Sequence, residues 1–252
     1  MDDYLEALFK LYEGLPRQGP GSKKSTIKAL NFIKADLPPK PLVLDIGCGC
    51  GAQTFVLAEE IEGVVTAIDI YQTYLNQISQ KVLKNKFKSK IKCLKGDMSK
   101  LICDANSVDL IWSEGAIYNI GFEYGLRSWQ SFLKPGGFLV ISELSWLKET
   151  PPEEAVSYWC EGYPGIKTIE ANIAIAKQIG FEHLANFTLP AEDWWDTYYN
   201  PLQKKIDSLN KDEKSTSGVE AVLQDTREEM AIMKKYSYFC GYEFYILKKP
   251  RK

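Results

Sequence analysis

Acidic residues set against a knot of glycines are the chemistry-bearing pattern in this chain. Asp45-Ile46-Gly47-Cys48-Gly49-Cys50-Gly51 follows directly on a hydrophobic run, and Asp69 and Asp97 each close a later apolar segment. Glycines at this spacing free the backbone for a tight turn and for close approach to a bound molecule. The paired cysteines raise the question of a metal, but a zinc site draws on about four ligands in paired clusters. Here there is no C-x2-C and His183 is the single histidine, so both cysteines are expected to be small residues fitted to a turn. Gly47, Gly49 and Ala52 nearly satisfy a dinucleotide fingerprint, with Asp69 at a distance suited to ribose hydroxyls. Asp45 tips the balance away from it, because a pyrophosphate at this turn would meet an extra negative charge, whereas a cationic ligand would be favoured.

The elements that must position these residues alternate along the chain. Residues 41–47, 64–69, 91–97, 108–114 and 137–144 are apolar runs of the length and composition of buried parallel strands. Helical spacing fills the gaps at 53–61, 71–84 and 125–133, and a further helix is expected over 24–34. Strand and helix in alternation imply right-handed βαβ units and a doubly wound sheet. Two later strands, 181–189 and 242–249, bring the expected count to seven. In such a sheet ligands bind at the carboxyl ends of the strands, which is where the glycine turn falls.

Composition narrows the partners. The chain has 252 residues, 45% of them hydrophobic, with 31 basic against 33 acidic side chains. That balance leaves no global field to attract nucleic acid or an anionic membrane. Residues 81–95 carry seven lysines but no arginines or interleaved exposed aromatics, so a solvated face is expected there. The first fifteen residues are acidic and amphipathic, unlike a signal peptide. No run approaches the ~18 apolar residues of a membrane span. Six scattered cysteines do not form a disulfide framework, and a reducing cytoplasm is the expected location.

In its ordered motifs the sequence resembles the class I S-adenosylmethionine-dependent methyltransferases. Asp45 to Gly51 resembles that family's D-x-G-x-G-x-G loop, Asp69 stands at its second strand end, Gly96-Asp97-Met98 resembles its third-strand acid, and 133–143 is similar to its turn into the fifth strand. Residues 15–22 and 112–123 are further similar to a bacterial and archaeal subgroup of small-molecule methyltransferases. The resemblance implies a single Rossmann-like α/β domain with a seven-stranded, mostly parallel sheet. Residues 1–40 would be an N-terminal cap, 41–145 the cofactor-binding core, and 146–252 the substrate side.

The same resemblance implies roles for individual residues. Gly47, Cys48 and Gly49 would lie along the methionine portion of S-adenosylmethionine, with Asp45 near its ammonium. Gln53 would open the following helix towards the carboxylate. Arg17 and Gln18 either fold over that end or belong to an ordinary loop before the helix at 24–34. Asp69 would hold the ribose diol, Ile70 the adenine face, and Asp97 with Met98 the adenine edge. Glu114, Gly115 and Tyr118 follow the fourth strand, where the methyl group is transferred. Glu114 either touches the cofactor, acts as a base or only orders its loop, and Tyr118 either meets the acceptor or only packs. Residues 112–123 lack the motifs of nucleic-acid base methylation, so a small-molecule acceptor is expected. The rivals are a nicotinamide-dependent oxidoreductase and a non-catalytic cofactor-binding module.

The insertion 191–236 holds Trp194, Trp195, Tyr198 and Tyr199, then helical spacing at Val222, Leu223, Thr226, Met230 and Met233. It is expected to be a helical lid over the acceptor or, alternatively, a dimer interface. Monomer and homodimer both remain open, and His183 is expected to be structural.

Overall fold

The computed structural model describes residues 3–84, 87–209 and 217–251. Asn85 and Lys86 of the lysine-rich run, and residues 210–216 of the insertion, lie outside the described residues. The N-terminal cap contributes α1 (Asp3–Tyr12) and α2 (Lys23–Asn31). The core follows as β1 (Leu42–Ile46), α3 (Ala52–Glu60), β2 (Val64–Asp69), α4 (Gln72–Leu83), β3 (Ile91–Lys95), β4 (Val108–Glu114), α5 (Phe122–Gln130) and β5 (Leu133–Trp146). The remainder is α6 (Glu153–Gly162), β6 (Lys167–Thr168), α7 (Ile169–Ile179), β7 (Glu182–Thr188), α8 (Ala191–Trp194), α9 (Asn200–Ser208), α10 (Ser217–Tyr236) and β8 (Cys240–Lys248).

The sheet runs β3-β2-β1-β4-β5-β8-β7, with the two-residue β6 pairing only the end of β5. β1 to β5 pair in parallel, and β8 lies antiparallel between β5 and β7. The chain winds outward from β1 to β3, then returns to start β4 on the other side of β1. That reversal is the topological switch point, and it opens a crevice at the strands' carboxyl ends. The Rossmann-like α/β sheet expected from the sequence is therefore present, with β6 as a short eighth strand.

Burial explains the order. β4 is buried at every position, as a central strand covered on both faces must be. Alternation along β1 sends Val43 to the face covered by Leu30, Leu57 and Ile78, and Leu44 and Ile46 to the face covered by Leu126 and Trp129. β3 is the edge, exposed after Ile91, and its Lys92 and Lys95 discourage pairing with another strand. Lys90 has a second use. Its Nζ donates to the carbonyls of Ala58 and Ile61 at 3.2 and 3.0 Å, capping the carboxyl end of α3. The lysine run is thus partly an edge guard and partly a helix cap.

The insertion is helical, as its spacing predicts. Val222, Leu223, Thr226 and Met233 of α10 are buried, and α10 packs along α1. No helix among the described residues is long and apolar enough to cross a membrane. All six cysteines are free.

Candidate active site

The loop after β1 is held by the neighbouring strand. The amides of Gly47 and Cys48 both donate to the Ile68 carbonyl, at 2.9 and 3.0 Å. Gly47 has φ of +73°, and a Cβ there would stand 2.4 Å from that of Ala116. Gly49 has φ of +53°, and a Cβ there would meet Gln18 Oε1 at 2.5 Å. Gly47 is therefore demanded by conformation and by space, and Gly49 by conformation, with the Gln18 side chain closing the space beside it. Across the crevice, Asp69 Oδ2 accepts from Gly49 N at 2.9 Å and Oδ1 from Tyr71 N at 2.8 Å. Burial raises the Asp69 carboxyl above its ordinary range against these amides.

Asp45 is wholly buried behind the loop and does not line the cavity. Its oxygens are taken by Thr54 Oγ1 and by Gln53 Nε2, the latter at 3.1 Å. Burial pushes the carboxyl up to about 7, with the Thr54 and Gln53 hydrogen bonds opposing. Gln53, which also reaches the Cys48 carbonyl, is the group that faces the cavity in its place. Of the direct and indirect approaches open to Asp45, its burial leaves the indirect one, through Gln53.

A cavity of about 1190 Å³ opens on this loop. Single small-molecule sites span about 300 to 1,000 Å³, so there is room for two molecules side by side. Of the sequence-predicted residues it gathers Arg17, Gln18, Gly47, Cys48, Gly49, Gln53, Asp69, Ile70, Asp97, Met98, Glu114, Gly115 and Tyr118. Ile70 is 56% exposed at its rim, an apolar surface offered to a flat ligand. Asp97 accepts from both the amide and the hydroxyl of Ser99 on Oδ1, which hold it below the usual carboxylate range and leave Oδ2 uncommitted among the described residues.

Glu114 is not free. One oxygen pairs with Arg17, and the other accepts from Thr26 Oγ1 at 2.7 Å and Trp112 Nε1 at 2.8 Å. Arg17 is correspondingly committed, and Gln18 bonds Cys50 N through Oε1 and the Tyr12 and Leu15 carbonyls through Nε2. These contacts fasten the N-terminal cap over the glycine loop.

Residues 43–137 match the family model described as a methyltransferase domain. Phosphoethanolamine N-methyltransferase 3 of Arabidopsis thaliana is 28% identical over 179 residues, covering 70% of this chain and 35% of that protein. The chain spans about a third to two fifths of the length of the first curated relatives it matches. Among solved structures, a methyltransferase from Geobacter sulfurreducens in complex with S-adenosylhomocysteine superposes with a TM-score of 0.82 at 17% identity, covering 96% of this chain and 97% of that one. The course of the sheet and the matched residues agree.

Residues 43–137 are a class I methyltransferase domain.

The methyltransferase fold does not by itself fix the reaction, since the cyclase SpnF also superposes, with a TM-score of 0.77 at 17% identity over 99% of this chain and 94% of that one. What surrounds the methyltransferase domain matters as much. The sequence reading missed α1, whose Tyr4, Leu8 and Tyr12 line the cavity. Their spacing of four is the helical signal that marked them. Phe9 stacks on Tyr71 at 4.5 Å, seating α1 beside the end of β2. From the insertion Trp194 and Tyr198 reach the cavity, whereas Trp195 and Tyr199 pack behind them.

Proposed function

We propose that the chain transfers a methyl group from S-adenosylmethionine to a small-molecule acceptor by in-line displacement. The observation that carries this reading is the glycine loop sharing one cavity with Asp69 and Asp97, each at the carboxyl end of the next strand out. The donor supplies a methyl carbon already activated by its sulfonium. The chain has to bind, orient and exclude water, without covalent catalysis. Asp69 presents an acceptor oxygen pair suited to a diol, and Asp97 keeps one oxygen for an amino donor. The amino end of α3, with its positive dipole and open amides, suits a carboxylate. Gln53 presents its amide to an ammonium, with the Asp45 charge behind it. Tyr118, 40% exposed on the cavity wall, meets the acceptor. Glu114, paired with Arg17, orders the cap over both molecules instead of serving as base.

A nicotinamide cofactor fits less well, because its pyrophosphate would lie at the loop beside the Asp69 carboxylate, and the lining cation Arg17 is already spent on Glu114. Calorimetry against S-adenosylhomocysteine, S-adenosylmethionine, NADH and NADPH decides between the two. Heat with the first pair alone is expected; heat with NADH and none with S-adenosylhomocysteine would end the proposal. Transfer of a labelled methyl group into a small-molecule fraction then separates a methyltransferase from a cofactor-binding module.

A further inference from the structure

The cavity has two chemically different ends. Asp69 and Asp97 lie at β2 and β3, while Tyr242 lies on β8. Five strand steps separate β3 from β8, roughly 24 Å at about 4.8 Å each. The β8 end is a chamber under α6, α8 and α10, walled by Tyr118, Tyr158, Tyr163, Trp194, Tyr198 and Tyr242. Trp194 stacks on Tyr242 at 5.2 Å, and Tyr118 meets Tyr163 edge-on at 5.9 Å. Ring faces of this kind attract a cation.

The charged side chains described in the chamber have one sign. Glu161, Asp225, Glu228 and Glu229 line it. Glu229 Oε1 accepts from Tyr199 Oη at 2.7 Å, and Asp225 Oδ2 from Tyr4 Oη at 2.6 Å. The charge of Glu229 reaches several rings at once. After burial, it is the next cause raising the phenols of Tyr12, Tyr118, Tyr158 and Tyr199, which therefore stay neutral. Among the described lining residues the cations are Arg17, spent on Glu114, and Lys95, at the β3 end. Among the described lining residues of the chamber no cation is left to pair with a phosphate or carboxylate. Behind its Tyr163 wall stands a further acid, Glu143, 1% exposed and with no well-formed hydrogen bond to its oxygens among the described residues.

We propose that the acceptor is an amine, bound as its ammonium against the aromatic walls beside Glu229, and that it carries no phosphate or carboxylate at that end. This rests on the methyltransferase reading for its role as acceptor. Before methylation the nitrogen gives its proton to Glu229, which leaves the lone pair free to attack.

The probes are N,N-dimethylbenzylammonium, its neutral isostere isobutylbenzene, and phosphoethanolamine, each titrated into the full chain saturated with S-adenosylhomocysteine. The ammonium probe is expected to bind at least tenfold more tightly than either of the others. In Glu229→Gln that preference should fall at least tenfold while S-adenosylhomocysteine affinity stays unchanged. The wild-type ligand series stands on its own if that variant fails to fold, and Asp225→Asn should reduce the same preference. Failure of S-adenosylhomocysteine to bind at all overturns the cofactor reading. Normal S-adenosylhomocysteine binding with no heat from the ammonium probe, or with isobutylbenzene or phosphoethanolamine bound equally well, overturns the amine proposal and leaves the cofactor reading intact.

Discussion

Arg17 and Glu114, separated by 97 positions, form an ion pair whose side chains are 9% and 3% exposed, joining the N-terminal cap to the end of the central strand β4. The pair stands at the mouth of the glycine loop, and Thr26 and Trp112 complete the bonding of the carboxylate. Its function follows from that position. The cap cannot swing away from the loop without stranding the Glu114 carboxylate, whose ion pair among the described residues is with Arg17.

Removing one member should therefore cost more than removing both. A buried charge left alone costs about 3 to 5 kcal/mol, whereas apolar replacement of the whole pair is often near neutral. Arg17→Met and Glu114→Met are each expected to destabilise by that amount, and the double variant by clearly less than their sum. Urea denaturation of all four proteins measures this. Strict additivity would mean that the pair contributes nothing jointly and that the cap is held elsewhere.

On the proposed function Asp69 joins loop and ligand in one residue, so its loss should be felt twice. Replacing it by Ala removes an acceptor for the ribose diol, worth about 1.5 to 3 kcal/mol as charged hydrogen bonds. It also frees the Gly49 and Tyr71 amides that its oxygens hold. S-adenosylhomocysteine binding by calorimetry should weaken by at least that range. Equal affinity in wild type and Asp69→Ala would move the diol site to another residue.

The core was legible in the sequence where local pattern and global position agree. β2 and β4 end as their apolar runs predict and β1 within one residue, because a strand buried on both faces leaves an unbroken hydrophobic signature. The expected start of β5 at 137 was late, since the strand already begins at Leu133 and is irregular where it passes Val108 and Leu110. Lys134, Pro135 and the two glycines concealed that beginning. Asp45 could be placed beside the loop but not turned. Only the fold shows that Thr54 and Gln53, nine and eight positions on, take both of its oxygens. The pairing of Arg17 with Glu114, and the chamber built from α6, α10 and β8, depend on contacts between distant segments that no local spacing records.

The insertion bears on how the chamber opens. Trp194 is 5% exposed, and its helix is tied to the cap: Asp193 accepts from Ser25 Oγ, and Thr197 Oγ1 donates to the Gly21 carbonyl at 2.6 Å. Trp194→Ala should thus both empty the chamber wall and cost about 3 to 5 kcal/mol of stability, as large buried truncations do. If the segment closes over ligand, proteolysis within 191–236 should slow when S-adenosylhomocysteine is added. Cleavage that ignores the ligand, in a protein that sediments as a dimer dissociated by Trp194→Ala, would make the segment an interface instead.

Glu143 makes the chain's response to pH testable. It lies on β5 opposite Glu243 of β8, and among the described residues its oxygens have no well-formed hydrogen bond, the Tyr163 hydroxyl being the donor close enough to act on it. Burial pushes its carboxyl from 4.5 up to about 8, with only Tyr163 opposing. Between those two values the folded chain keeps a proton that the unfolded chain has lost. Stability from this group is therefore fully present below about pH 4.5, declines as pH rises, and levels off above about 8. Asp45, raised to about 7, adds a decline of the same sign, as do the raised Asp69, Glu229 and Glu243, so the wild-type profile alone does not isolate Glu143. The comparison with Glu143→Gln does, because an amide does not titrate. Relative to wild type the variant should gain on the order of a few kcal/mol between pH 5 and pH 9, read from urea midpoints at each pH. Parallel profiles for the two proteins would show that Glu143 is ionised throughout, and that the space around Tyr163 is wetter than its burial implies.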